Sequence, residues 1–302
     1  MVTLENQRIL ITGATGSVGG PVAKALAQTN TVVAIARFGS DRARSDLANH
    51  GVHCVKVDFE ACDYSDVEGD FDYVLNFAVA KTNDFERDLI ANAESLGFLM
   101  QRCSAARAFL HCSSTAVYEP DGHRRFIETD PLGDNHRAFG FMPTYSISKI
   151  AAETVARFAA RSYGIPTTIA RLSVPYGDDF GWPLFQLAMM RAGQAIPVHV
   201  DSPSEYNPIH IEDIVAQIPA LLAAATVPAT IVNWAGDDVV SIEEWCETIA
   251  AASGLSASFA PTTQTIASVA CDVTKRQAIT GPCSIGWTEG ILRLAAAAQV
   301  AS

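Results

Sequence analysis

No two cysteines in this 302-residue chain form a C-x-x-C pair, and the seven present, at positions 54, 62, 103, 112, 246, 271 and 283, are scattered and odd in number. Both facts argue against a disulfide framework and against a zinc site, so no metal is expected. Free thiols suit a reducing compartment, and the polar stretch MVTLENQR leads straight into a strand pattern, so a cytoplasmic location is expected. No apolar run reaches membrane length, and neither a secretory signal nor a membrane partner is expected. Basic residues are scarce. Lys and Arg number 21 against 33 Asp and Glu, giving a net charge of −12. No Lys/Arg block offers a phosphate track, so nucleic acid is not an expected partner. No G-x-S-x-G elbow occurs, which removes the sequence signature of a Ser-His-Asp hydrolase. Repeats and low-complexity linkers are also missing.

What is present reads as a globular α/β protein. Hydrophobic residues make up 49% and charged residues 18%, enough apolar material for a large core. Strand patterns fall at 8–12, 31–36, 52–57, 72–77, 107–112 and 166–172, with another near 229–234. Helix patterns fall at 18–28, 41–49, 84–103, 144–163 and 211–225. Their alternation predicts right-handed βαβ units and a parallel sheet.

The segment RILITGATGSVGGPVAKALAQ reads as strand, glycine loop, helix. Ile9, Leu10 and Ile11 suit a strand buried on both faces. Gly13, Gly16 and Gly19 follow at G-x-x-G-x-x-G spacing, and Val18, Val22, Ala25 and Leu26 continue at helical spacing. Such a loop brings backbone close to a pyrophosphate, whose charge sits at a helix amino terminus.

A second pattern carries proton chemistry. Of the seven tyrosines, only Tyr145 has a lysine, Lys149, four residues later. On a helix that spacing puts both side chains on one face, about 6 Å apart along the axis. A phenol with pKa near ~10 is a poor acid or base at neutral pH. A neighbouring ammonium favours the phenolate, and a shift of about three units requires roughly 4 kcal/mol.

The chain resembles the extended short-chain dehydrogenase/reductase family, the NAD(P)-dependent epimerase/dehydratase group. The resemblance rests on TGATGSVG at 12–19, VLNFAVA at 74–80, HCSSTAVYE at 111–119, YSISK at 145–149, RLSVPYG at 171–177 and NPIHIEDIV at 207–215. It implies an α/β, doubly wound parallel-sheet Rossmann fold with a smaller carboxy-terminal substrate-binding lobe. The nucleotide domain would take 1–173 and 209–236, and the lobe 174–208 and 237–302. The site is then expected between them, at the carboxyl ends of the strands.

The resemblance assigns cofactor contacts to Gly13, Thr15, Gly16, Ser17, Val18 and Gly19. Arg37, at the tip of the second strand, can pair with the 2′-phosphate of NADP, which favours NADP over NAD. Arg42 and Arg44 lie nearby; Asp41 is the alternative partner of a free ribose hydroxyl. Asp58 resembles the family's adenine-contacting aspartate, with Phe59 beside it; a turn-capping acid is its other reading. Ala78, Val79 and Ala80 would lie along the ribose and pyrophosphate, and Val174 beyond the sixth strand would complete the wall. Asn92 matches a structural asparagine, although Ser95 replaces the glycine that often follows.

Ser114 matches the catalytic hydroxyl residue, with Ser113 as fallback. The implied chemistry is hydride transfer at the nicotinamide, with Ser114 binding the substrate oxygen and Tyr145 moving its proton. Lys149 would hold the ribose and, with the positive nicotinamide, lower the pKa of Tyr145. Departures narrow the substrate. Thr115 and Ala116 stand where sugar-nucleotide dehydratases carry Asp-Glu. Val174 replaces a common asparagine, and Tyr206 stands near an expected diphosphate-binding arginine. Phe139, Phe141, Met142, Phe180, Trp182 and Phe185 would instead wall a pocket for a carbonyl compound of moderate size, with Thr115, Phe141, Tyr176, Trp182 and Tyr206 as candidate substrate contacts. His123, Arg124 and Arg125 read as a solvated loop, and His210 with Asp213 as a brace. The expected activity is an NAD(P)-dependent reductase or dehydrogenase acting on a small-molecule ketone, aldehyde or secondary alcohol. The alternatives are a nucleotide-sugar C4 epimerase with tightly bound NAD and a non-catalytic NADP-sensing protein. A homodimer pairing the helices near 84–103 and 144–163 is expected.

Overall fold

The first strand, β1 (Arg8–Thr12), shows why the sheet forms where it does. Ile9 and Ile11 point into one apolar cluster with Val22, Ile214 and Trp234. Leu10, between them, points into another with Val74, Phe109 and Ala156. A strand that buries alternate side chains on both faces needs helices above and below it. Each such Leu or Ile contributes about 1.5–3 kcal/mol by leaving water.

The computed structural model describes residues 4–137 and 139–300. The outermost residues of the expected domain ranges, 1–3 and 301–302, and Ala138 in the expected apolar segment lie outside the described residues. Six further strands join β1: β2 (Thr31–Ala36), β3 (His53–Lys56), β4 (Tyr73–Asn76), β5 (Ala108–Ser114), β6 (Thr167–Leu172) and β7 (Thr230–Trp234). They form one parallel sheet in the order β7-β6-β5-β4-β1-β2-β3. The order reverses between β1 and β4, so the crevice for a ligand opens beyond Thr12 and Asn76. The alternation predicted the parallel sheet, and the doubly wound Rossmann order is the one that the family resemblance implied. The helix Tyr145–Tyr163 ends at Gly164, whose φ of 68° closes it in the left-handed region.

A third apolar cluster lies beyond the strand ends. Tyr176, Trp245, Ile249 and Leu294 fill it, joined by Tyr118 and Phe126. Small strand pairs knit this region: Arg125–Phe126 runs parallel to Ala270–Cys271, and Glu205–Tyr206 antiparallel to Val240–Ser241. Among the described residues, no helix is long and apolar enough to cross a membrane, and no cluster of His, Cys, Asp and Glu is placed to hold a metal ion.

Candidate functional site

The glycine loop meets the requirements of a pyrophosphate cradle. Gly13 has φ 69°, and a Cβ there would stand 2.6 Å from the Phe77 carbonyl carbon and 2.7 Å from the Ala78 nitrogen. A side chain at position 13 would therefore drive β1 and β4 apart. The helix Gly19–Leu26 begins at Val18, which has no side chain able to cap it. Its first N–H groups and positive dipole end suit an anionic ligand. Gly13, Gly16, Ser17, Val18 and Gly19 all line a cleft of about 560 Å³.

The same cleft receives the proposed chemistry-bearing side chains. Ser114 ends β5, and Tyr145 and Lys149 lie on the first turns of one helix, as their spacing requires. Lys149 is 4% exposed and donates from Nζ to the Cys112 carbonyl at 2.8 Å, which fixes the ammonium against the β5 tip. Burial lowers its pKa, while Cys112 and Glu153 act in the opposite sense. The pKa of Tyr145 lies above the ordinary phenol value, because burial outweighs a hydrogen bond with Ser114 and the positive charge of Lys81. Lys149, which was expected to lower this pKa together with a positive nicotinamide, is not among the groups that shift it here. Its ammonium stands 6.0 Å from the Tyr145 ring centre, farther than Lys81 at 5.4 Å.

Two residues that the sequence reading missed thus enter the site. Lys81 follows NFAVA directly, and the loop that carries it is clamped from the next helix. Asn92 accepts from the Ala80 N–H at 2.6 Å and donates to the Ala80 carbonyl at 3.0 Å. Asp88 is fully buried and accepts from the Thr82 N–H at 2.9 Å, the Asn83 N–H at 3.2 Å and the Thr144 hydroxyl at 2.6 Å. Burial alone would raise the Asp88 pKa, but these bonds bring it below the usual carboxylate value. Asp88 thereby ties the Lys81 loop to the residue before Tyr145. The helix holding both clamps passes through a π-helical turn at Ile90–Glu94.

The second is His136, nine positions before Tyr145. Its ring lines the cleft, 5.0 Å from the Tyr145 ring. Burial and the nearby Lys81 charge lower its pKa to about 4. Nothing local in ETDPLGDNHRAFG marks this histidine apart from its polar neighbours.

Below the site, a buried ion pair joins sheet to helix. Arg171 of β6 grips Glu153 bidentately at 2.9 and 2.8 Å, and Ser113 donates to the same carboxylate at 2.5 Å. Ser113 is therefore committed to structure, leaving Ser114 as the hydroxyl in the cleft.

The other expected residues divide. Val79, Thr115, Val174, Trp182 and Tyr206 line the cleft. Val174 holds a φ of 23°, a strained value for a β-branched residue at the cleft wall. Tyr206 offers only its ring, because its hydroxyl donates to the carbonyls of Ile266 and Ala267 at 3.0 Å. Tyr176 is fully buried in the third cluster against His210, and Phe141 is 69% exposed, so neither lines the cleft. Thr15 faces a smaller cavity of about 310 Å³ behind the glycine loop. Ala78 uses its N–H on Thr12 at 2.9 Å, and both backbone groups of Ala80 are taken by Asn92. Arg37, Asp58 and Phe59 lie off the cleft, beyond the tips of β2 and β3. Asp58 caps the short turn Phe59–Ala61 by accepting from the Glu60 N–H at 3.1 Å.

Known proteins resemble this chain in sequence and in fold. The model of the NAD dependent epimerase/dehydratase family matches residues 9–234. The dTDP-4-dehydrorhamnose reductase of Burkholderia thailandensis is 30% identical over 199 residues, which are 58% of this chain and 61% of that protein's length. UDP-glucuronic acid 4-epimerase from Bacillus cereus, solved with UDP-glucuronic acid and NAD, superposes with a TM-score of 0.81 at 19% identity over 98% of this chain and 100% of that one. The dTDP-glucose 4,6-dehydratase of Bacillus anthracis, solved with NAD, gives 0.81 at 19% identity, covering 97% of each chain.

Proposed function

Because the chain belongs to the NAD-dependent epimerase/dehydratase family, within the extended short-chain dehydrogenases/reductases, we propose that it transfers hydride between a nicotinamide cofactor and a ketone, aldehyde or secondary alcohol, with Tyr145 as general acid/base. The observation that carries the substrate class is the charge of the lining. Lys81 and Lys149 are its only cations among the described residues, and both stand beside Tyr145. The lining also holds Phe180, Trp182, Tyr206, Ile266 and Val269, which give a substrate diphosphate no cation to pair with.

In this reading the glycine loop holds the cofactor pyrophosphate, Lys149 the ribose, and Arg37 the 2′-phosphate that makes NADP the preferred form. The nicotinamide supplies or accepts the hydride at C4. During reduction, the Ser114 hydroxyl donates a hydrogen bond to the carbonyl oxygen, and the Tyr145 hydroxyl gives up its proton to that oxygen as the alcohol forms. Lys149 and Lys81 then stabilise the phenolate left behind. The division into a nucleotide domain at 1–173 and 209–236 and a substrate lobe at 174–208 and 237–302 belongs to the same proposal. So does a homodimer. Phe98, 49% exposed on the helix Ser95–Arg102, and Phe158, 66% exposed on the helix Tyr145–Tyr163, offer an apolar face for a second copy.

The solved relatives named above favour one other reading, a nucleotide-sugar C4 epimerase that retains NAD through turnover. Purified protein separates the two. A reductase oxidises added NADPH in proportion to a ketone or aldehyde, and Tyr145→Phe keeps cofactor binding while losing about 10²–10⁴-fold in turnover. Full activity of that variant rules out the assignment of Tyr145. Protein that arrives with stoichiometric NAD and consumes no NADPH is the epimerase.

A further inference from the structure

His136 is held by a hydrogen-bond chain that decides which of its nitrogens is free. Ser146, next to Tyr145, donates its only hydroxyl proton to the Ala116 carbonyl at 2.7 Å. Its oxygen also lies 2.8 Å from His136 Nδ1. With its proton already committed, Ser146 accepts there, so Nδ1 carries the hydrogen and Nε2 keeps a lone pair. Among the described residues, the one hydrogen bond that the ring makes is at Nδ1. The ring is 2% exposed and lines the cleft. The chain thus joins the turn after β5, the helix of Tyr145 and the 134–144 loop around one free acceptor.

We infer that His136 is a specificity-determining residue, whose Nε2 accepts a hydrogen bond from a hydroxyl on the substrate carbon adjacent to the one that exchanges hydride. The inference rests on the proposed carbonyl chemistry and names its substrate class: α-hydroxy ketones or aldehydes and, in reverse, vicinal diols. The 5.0 Å spacing of the His136 and Tyr145 rings confines the donor to the neighbourhood of the reacting carbon. With its pKa near 4, the imidazole stays neutral around pH 7 and acts as an acceptor, not as a proton source. The positive Lys81 alongside disfavours an ammonium donor at the same point and favours a neutral donor such as a hydroxyl. An acceptor on the cleft wall facing a bound substrate that lacks the hydroxyl would be shut off from water without a partner, and that is the source of discrimination.

The test uses two probe ketones, an aryl hydroxymethyl ketone and the matching aryl methyl ketone, with wild type, His136→Phe, His136→Gln and Ser146→Ala. Wild type should prefer the hydroxy ketone by ~10-fold or more in kcat/KM. His136→Phe should lose ~10–100-fold more in kcat/KM on that ketone than on the methyl ketone. His136→Gln, which restores an acceptor oxygen, should recover part of the preference, and Ser146→Ala, which frees the ring to turn over, should lose part of it. Equal losses on both ketones would make His136 a structural brace and overturn the inference. Turnover of both by wild type without preference overturns it alone. Turnover of neither overturns the carbonyl reading as well.

Discussion

Replacing His136 by phenylalanine should flatten the acid limb of the stability curve. In the folded chain, burial and the Lys81 charge hold the imidazole pKa near 4, against 6.5 for an unhindered histidine. Below pH 6.5 the unfolded chain therefore takes up a proton that the folded chain refuses. This contribution is absent well above pH 6.5 and costs stability progressively as pH falls toward 4. Between pH 7 and pH 5 the two pKa values give a loss of about 1.8 kcal/mol. With an unfolding entropy of about 2.1 cal/mol/K per residue, that is a fall of about 3 °C in Tm. Phenylalanine has no proton to bind, so the variant should lack this increment, whatever its stability at pH 7. Urea or thermal unfolding of both proteins at the two pH values measures it. His111, also buried and also displaced downward, is common to both and cancels in the comparison. Parallel curves for variant and wild type would refute the placement of His136 beside Lys81 in a water-poor wall.

Three further outcomes follow from the same coordinates. Gly13→Ala should abolish measurable nicotinamide binding by fluorescence titration, because its Cβ would sit 2.6 Å from the Phe77 backbone. Arg37→Asp should shift the ratio of kcat/KM for NADPH over NADH downward by ~10-fold or more, since a carboxylate repels the 2′-phosphate and accepts from a free hydroxyl; an unchanged ratio would remove Arg37 from the cofactor site. Phe158→Glu should convert a dimer to a monomer in analytical ultracentrifugation, whereas a wild-type monomer would show that this exposed face serves no second copy.

Much of the sheet was legible because buried parallel strands write themselves as short apolar runs. The spans 8–12 and 31–36 coincide with β1 and β2, and the expected helix at 144–163 begins one residue later, at Tyr145. The glycine loop and the Tyr145–Lys149 pair were equally readable, since each is local in the chain. Lys81 and His136 were not. They reach Tyr145 through loops whose course is set by Asp88, Asn92 and Ser146, partners that no periodicity announces. The predicted single helix at 84–103 likewise conceals its π-helical turn, at the point where Asn92 must turn toward Ala80. Tyr176 was misplaced for the opposite reason. Its motif continues from β6 toward the cleft, but the third apolar cluster captures the ring. The direction of the Tyr145 pKa depends on how completely the ring is enclosed, which residue spacing does not encode.

The salt link between Glu153 and Arg171 has a consequence for the whole arrangement. Glu153 lies one helical turn past Lys149, and its partner is rooted in the neighbouring strand. Any roll of the long helix about its axis would strand two charges in a dry interior, a change that costs several kcal/mol. The phenol and ammonium therefore take their heading from a pair of groups that no substrate ever meets, and an engineer who wishes to re-aim them must exchange both halves of that pair together.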